Sequence, residues 1–263
     1  MHLRRIIKEN HGSDIHQLAF FFNNKNFSAP VGLDVNKTFD KRGSVQRQQT
    51  DTSNVFASVG GCQMNLYDNE HIGDHLDLMS NFDLGQTEDG KSELHTFCWL
   101  YRGDDAQIAA AGTDGNIHLV SIAYSEEIKI LQGHTKTIHD LQTHPRSDRY
   151  ILSTSKDGTV RLWDVDLAKC LVIFEADATV TCFYTSGDKF ISGGPRGELR
   201  EWTIPDYEKS DDPVMVPKKD SRLLKKYNGE CYIDCIRFAN GNVLSKSING
   251  RLEYWNPETG DVT

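Results

Sequence analysis

The chain has 263 residues, 38% of them hydrophobic and 25% charged, an ordinary balance for a folded globular protein. Its 29 Lys and Arg stand against 38 Asp and Glu, a net charge of −9, which argues against sequence-specific nucleic acid as a direct ligand because duplex affinity depends on neutralising phosphates. No apolar run approaches the ~18 residues of a membrane-spanning helix, so no membrane partner is expected. The basic start MHLRRIIKENHG lacks the apolar stretch of a secretory signal. The six cysteines (Cys62, Cys98, Cys170, Cys182, Cys231, Cys235) contain no C-x-x-C pair and mostly lie in apolar runs. They are expected to be buried free thiols of a cytosolic or nuclear protein.

Five segments with the alternating pattern of short strands follow one another. The first, near 10–68, ends in VFASVGGCQMNLYD and is interrupted at 23–54 by a polar stretch expected to be a disordered insertion. HLRRIIKE, residues 2–9, is expected to be an additional strand completing another blade. The second segment, near 94–132, carries the turn Gly112-Thr113-Asp114-Gly115 and reaches Val120. The third, 133–175, opens with Gly133-His134 and carries Trp163-Asp164. The fourth, 178–204, ends at Trp202 with Arg196 in the turn position held by Asp157 in the third. A segment with three prolines, 205–230, is expected to be an inter-blade linker, with Lys218-Lys219 and Lys225-Lys226 in a solvated loop. The fifth, 231–263, reaches Trp255 with Asn249 in the turn position.

From Tyr67 through Val120, Trp163 and Trp202 to Trp255 the anchors are 53, 43, 39 and 53 residues apart, which makes five units once the two polar stretches are set aside. The Gly-His opening and Trp-Asp close of the third unit are those of a WD repeat. The fold class expected is therefore all-β, a WD40 β-propeller with five recognisable blades of a seven-bladed ring. An open arc of five would expose strand edges, which suggests a fragment of a longer protein.

His134, Ser155 and Asp157 suggest a hydrolase triad. In WD repeats the same residue types, with Trp163, make a structural tetrad that satisfies polar groups inside the blade. The tetrad reading is preferred; no G-x-S-x-G, P-loop, G-x-G-x-x-G or H-E-x-x-H occurs, and no catalytic residue or cofactor is assigned. His71 and His75 have i,i+4 spacing but flank a glycine in a loop, so no metal site is assigned. Cys231 and Cys235 are placed on one face of the strand CYIDCIRF as packing residues.

The run Thr143-His144-Pro145-Arg146, then Leu152-Ser153-Thr154-Ser155-Lys156-Asp157 and Arg161-Leu162-Trp163, resembles the central repeat of the embryonic ectoderm development (extra sex combs) family. So do Asp234-Cys235-Ile236-Arg237-Phe238, Val243-Leu244-Ser245-Lys246-Ser247 and Trp255-Asn256-Pro257. Phe56-Ala57-Ser58-Val59-Gly60-Gly61 and Thr96-Phe97-Cys98-Trp99 resemble its first two repeats. The resemblance implies a non-catalytic, nuclear scaffold of a Polycomb-type histone methyltransferase complex that acts in transcriptional repression. One face would grip a helix of the SET-domain subunit; the other would hold trimethyl-lysine of a histone H3 tail in an aromatic cage. Two cage-equivalent positions fall on His16 and His95, and the other two belong to a blade after Trp255. Phe20, Phe97 and Trp99 are expected to be core residues. The alternatives are the WD half of an origin-recognition-associated leucine-rich-repeat and WD protein, and a generic WD adaptor.

Overall fold

The computed structural model describes residues 13–21, 55–68, 77–87, 90–102, 105–207, 212–227 and 231–262. The expected strand at 2–9, the insertion at 23–54, and the pair His71 and His75 lie outside them. The chain divides into two units, residues 1–130 and 131–263.

In the first unit, β1 (Ile15–Phe20), β2 (Val55–Gly60), β3 (Gln63–Asp68) and β4 (Asp77–Asp83) pair in that order as an antiparallel sheet. This blade therefore runs to Asp83, past residue 68. A short hairpin follows, β5 (Gln86–Thr87) with β6 (Gly90–Lys91). The second blade is β7 (Leu94–Arg102), β8 (Asp105–Gly112), β9 (Ile117–Ser121) and β10 (Glu126–Leu131). The core lies between these sheets, where Phe21 packs edge-on against Trp99 at 4.9 Å beside buried Phe97. Phe20, expected in the core, is instead exposed and lies against Phe56 at 5.3 Å. Strand alternation sends Ala19 and Phe21 inward and leaves Phe20 on the other face.

In the second unit, β11 (Ile138–Thr143), β12 (Tyr150–Ser155), β13 (Thr159–Asp164) and β14 (Lys169–Glu175) form the third blade. The fourth begins with β15 (Val180–Phe183), β16 (Lys189–Gly193) and β17 (Glu198–Thr203). The segment 205–230, expected to be a linker, supplies strands to both. β18 (Val214–Val216) pairs in parallel with β14, and β19 (Arg222–Lys226) is the outer strand of the fourth blade. Nor do Lys218, Lys225 and Lys226 stand in a free loop. Lys218 and Lys226 reach Glu198 at 3.0 and 3.3 Å, while Lys225 meets Glu253. Hydrogen bonds from Arg200 first, then Lys218 and Lys226, hold the Glu198 carboxyl down at about 2. Short, lysine-rich outer strands are a common device for blunting a sheet edge, and they hide the alternation that marks inner strands. The fifth blade is β20 (Ile233–Ala239), β21 (Asn242–Ser247) and β22 (Leu252–Trp255).

Stacked Phe190 and Trp202, 6.1 Å apart, fill the core between the third and fourth blades with Phe174. Trp255, Ile236 and Ile191 fill that between the fourth and fifth. All six cysteines are free thiols, but only Cys182 and Cys231 are buried; the other four are half-buried. Cys231 precedes β20, and a register shift between Ile233 and Cys235 breaks the expected common face of Cys231 and Cys235.

Candidate functional site

Each blade needs a way to satisfy polar groups between its strands, and the third does so with a closed chain of hydrogen bonds. Trp163 Nε1–H donates to Ser153 Oγ at 2.7 Å. Ser153 Oγ and His134 Nε2 are 2.7 Å apart, and His134 Nδ1 and Asp157 Oδ2 are 2.7 Å apart. The member serine is Ser153 and not Ser155. Both face the same way on β12, since strand side chains repeat every second residue, so spacing alone leaves the choice open. Ser155 ends the strand, and its hydroxyl donates to Lys136 O while accepting the Asp157 N–H. The Asp157 carboxylate is further held by Thr159 Oγ1 at 2.6 Å and the Thr135 N–H at 3.2 Å. Burial opposes its ionisation, but the hydrogen bonds from His134 and Thr159 hold its pKa well below the carboxylate range.

This chain has the connectivity of a Ser-His-Asp triad. The Ser153 and His134 side chains are both 0% accessible, and the indole N–H already occupies the serine oxygen. A nucleophile sealed in this way cannot meet a substrate.

The Ser–Trp pair recurs ten residues apart in each later blade, as Ser192–Trp202 at 2.8 Å and Ser245–Trp255 at 3.0 Å. In the fifth, Tyr227 Oη takes the place of the imidazole, 2.9 Å from both Ser245 Oγ and Glu253 Oε2. Ser247, which corresponds to Ser155, is the one buried side-chain oxygen among the described residues without a partner.

The second blade has Ala110 and Val120 where Ser153 and Trp163 stand, so it has no tetrad. Its turn carboxylate, Asp114, is instead met at 2.9 Å by His118 Nε2, whose Nδ1 lies 2.5 Å from Glu127 Oε1. The two histidines consequently shift in opposite directions. Burial lowers His118, but the Asp114 and Glu127 hydrogen bonds outweigh it and raise the pKa above 6.5. Burial dominates at His134 and lowers it. The His118 contribution to stability is therefore complete below pH 6.5 and is lost as pH rises through the raised native value. The His134 contribution is complete above pH 6.5 and is lost as pH falls through the lowered one. Urea midpoints between about pH 5 and 9 should show His118→Gln destabilising most at the acid end and His134→Gln at the alkaline end. Parallel pH profiles would refute the assignment.

His16 and His95, assigned by resemblance, are brought together, with ring centroids 4.8 Å apart at an interplanar angle of 54°. Their position comes from a device that repeats along the chain. His16 is the extra residue of a β-bulge between Ile15 and Gln17, and His95 that of a bulge between Leu94 and Thr96. His139 and Asp234 are the corresponding residues in the third and fifth blades. A bulge re-aims its side chain out of the normal alternation. The Gln17 side chain fixes the two strands relative to each other, donating to Phe97 O at 3.0 Å and accepting the Phe97 N–H at 2.8 Å. Glu93 joins the pair, its Oε2 3.8 Å from His95 Nε2. Burial and then the neighbouring His16 hold His95 below its ordinary value, against the attraction of Glu93. Sequence reading missed Glu93; only the strand register, which leaves one residue too many before Thr96, brings it beside His95.

Comparison with known proteins bears on the fold and on the sequence as a whole. The family model of the WD domain, G-beta repeat, matches residues 125–164. Polycomb group protein FIE2 of Zea mays is 28% identical over 225 residues, which are 78% of this chain and 58% of that protein. Polycomb protein esc of Drosophila melanogaster is 26% identical over 274 residues, 95% of this chain and 58% of that one. The chain thus spans little more than half the length of these curated relatives. Among solved structures, a chain of ctPRC2 in complex with H3K27me3 and H3K27M superposes with a TM-score of 0.71 at 18% identity, over 93% of this chain and 48% of that one. A chain of the Chaetomium thermophilum Polycomb Repressive Complex 2 bound to GSK126 gives 0.70 at 17%, over 95% and 53%. At such identity the likeness is one of fold. With the strand pairing and the repeated Ser–Trp bond, these comparisons make the chain a WD40 β-propeller protein similar in sequence to the Polycomb esc and FIE proteins.

Proposed function

We infer that the chain is a non-catalytic WD-repeat scaffold of a Polycomb-type histone methyltransferase complex, acting in chromatin-based transcriptional repression in the nucleus. The observation that carries this reading is the similarity to FIE and esc proteins, which covers 78% of the chain for FIE2 and 95% for esc. The sealed state of Ser153 and His134 supports a non-catalytic role. A rigid propeller holds its loops and strand edges in fixed positions, which suits it to grip partners. The partner expected is the SET-domain subunit, which would contribute an amphipathic helix to a groove. The histone H3 tail is the second candidate partner: the resemblance puts His16 and His95 at two cage-equivalent positions, where imidazoles offer weaker faces than aromatic rings.

Affinity purification of the chain from nuclear extract of its own source should recover a SET-domain protein as a major partner. Recovery of origin-recognition proteins alone, or of cullin components alone, would replace this reading with the corresponding alternative.

A further inference from the structure

The strongest cluster of ligating side chains among the described residues is the one at the bulges of the first unit. The donor atoms of His16, Glu93 and His95 all lie within 4.8 Å of one another. We propose that these three residues form a binding site for a divalent transition metal of the zinc class. This goes beyond the scaffold reading and does not depend on it.

Four observations support it. Two imidazoles and one carboxylate are a donor set that zinc uses, with bonds of about 2.0–2.2 Å. Tetrahedral geometry at that bond length places donors roughly 3.3 Å apart. His95 Nε2 and Glu93 Oε2 are already at 3.8 Å, and no two of the three donors are more than 4.8 Å apart. Glu93 and His16 are exposed and can turn, while His95 is half-buried and supplies the fixed donor. The backbone cannot drift, because the Gln17 side chain ties β1 to β7 through both its oxygen and its nitrogen. Finally, both histidines are the extra residue of a bulge, so two separate departures from strand alternation converge on one point.

The neutral imidazole is the form that binds metal. Three protein donors leave at least one coordination position for water or for a donor from a partner segment.

The test is calorimetric titration of Zn²⁺ into the untagged full chain, stripped beforehand with a chelator. Co²⁺ absorption serves as a second readout of tetrahedral nitrogen–oxygen ligation. One saturable equivalent is expected. Loss of an outer hydrogen-bond partner of a metal ligand costs about 10–100-fold in affinity, and loss of a ligand should cost at least that, so His16→Ala and His95→Ala should each weaken binding by roughly tenfold or more. Glu93→Gln should weaken it as well. His16→Ala is the decisive variant, because this exposed side chain takes no part in the core and its removal spares the fold. Circular dichroism of the variants checks this. Absence of saturable uptake by the parent would overturn the proposal. So would one-equivalent binding that is unchanged in His16→Ala, which would place the ion among other histidines of the ten in the chain.

Discussion

Trp163→Ala should destabilise the second unit by about 3–5 kcal/mol, the range for emptying a large buried aromatic site. Trp163 is 1% exposed, and its indole N–H is one end of the chain through Ser153 and His134 to Asp157. Truncation therefore opens a cavity and strips Ser153 of a donor at once. A comparison of serines makes the test specific. Ser153→Ala leaves both the Trp163 N–H and His134 Nε2 buried without partners, each costing about 1–3 kcal/mol. Ser155→Ala removes a hydroxyl whose two partners, Lys136 O and the Asp157 N–H, belong to residues that are not buried, so water can replace it, and should cost about 1 kcal/mol. Chemical denaturation of the three variants should thus rank Trp163→Ala and Ser153→Ala well ahead of Ser155→Ala. Equal losses at the two serines would put Ser155 back into the tetrad, and a Trp163→Ala variant as stable as the parent would dismiss the tetrad altogether.

That ranking marks where the sequence is legible and where it is not. The third blade could be read because its strands alternate cleanly, its turns carry Asp157-Gly158, and its Gly-His and Trp-Asp dipeptides fix the repeat. Ser153 and Ser155 could not be told apart, because they share a face and differ only in distance from the strand end. β18 and β19 were invisible for a different reason. Outer strands contribute little to the core, so RLLKK needs no inward apolar face and VMV is too short to show a period. Their prolines and charges read as a linker. The His16–His95–Glu93 group was half legible: resemblance named the two histidines, but only backbone register reveals the bulges that bring them together. An inserted residue changes the facing of everything before it, and no residue type announces it. The same effect separated Cys231 from Cys235.

The 263-residue chain should bind a trimethylated histone H3 peptide weakly, and with little preference over the unmodified one. An aromatic face contributes about 0.5–1 kcal/mol to a cation when exposed and about 2 when desolvated. His16 and His95 replace two such faces with imidazoles, which are smaller, weaker π surfaces and repel a cation once protonated. The loss is about 1–4 kcal/mol for the two, roughly fivefold to nearly a thousandfold in affinity. The Glu93 carboxylate, 3.8 Å from His95 Nε2, does attract an ammonium group. It favours the unmodified lysine, however, because a primary ammonium donates N–H bonds to a carboxylate and a trimethylated one has none to donate. Calorimetry at neutral pH, with a chelator present to keep a bound cation from repelling the ligand, should give a ratio between the two peptides of less than about tenfold. Micromolar binding that requires methylation and is abolished by His95→Ala would overturn this expectation. The reverse change provides the positive control: His16→Tyr with His95→Tyr restores two electron-rich faces at positions whose backbone is already fixed by Gln17, and should raise the preference for the trimethylated peptide.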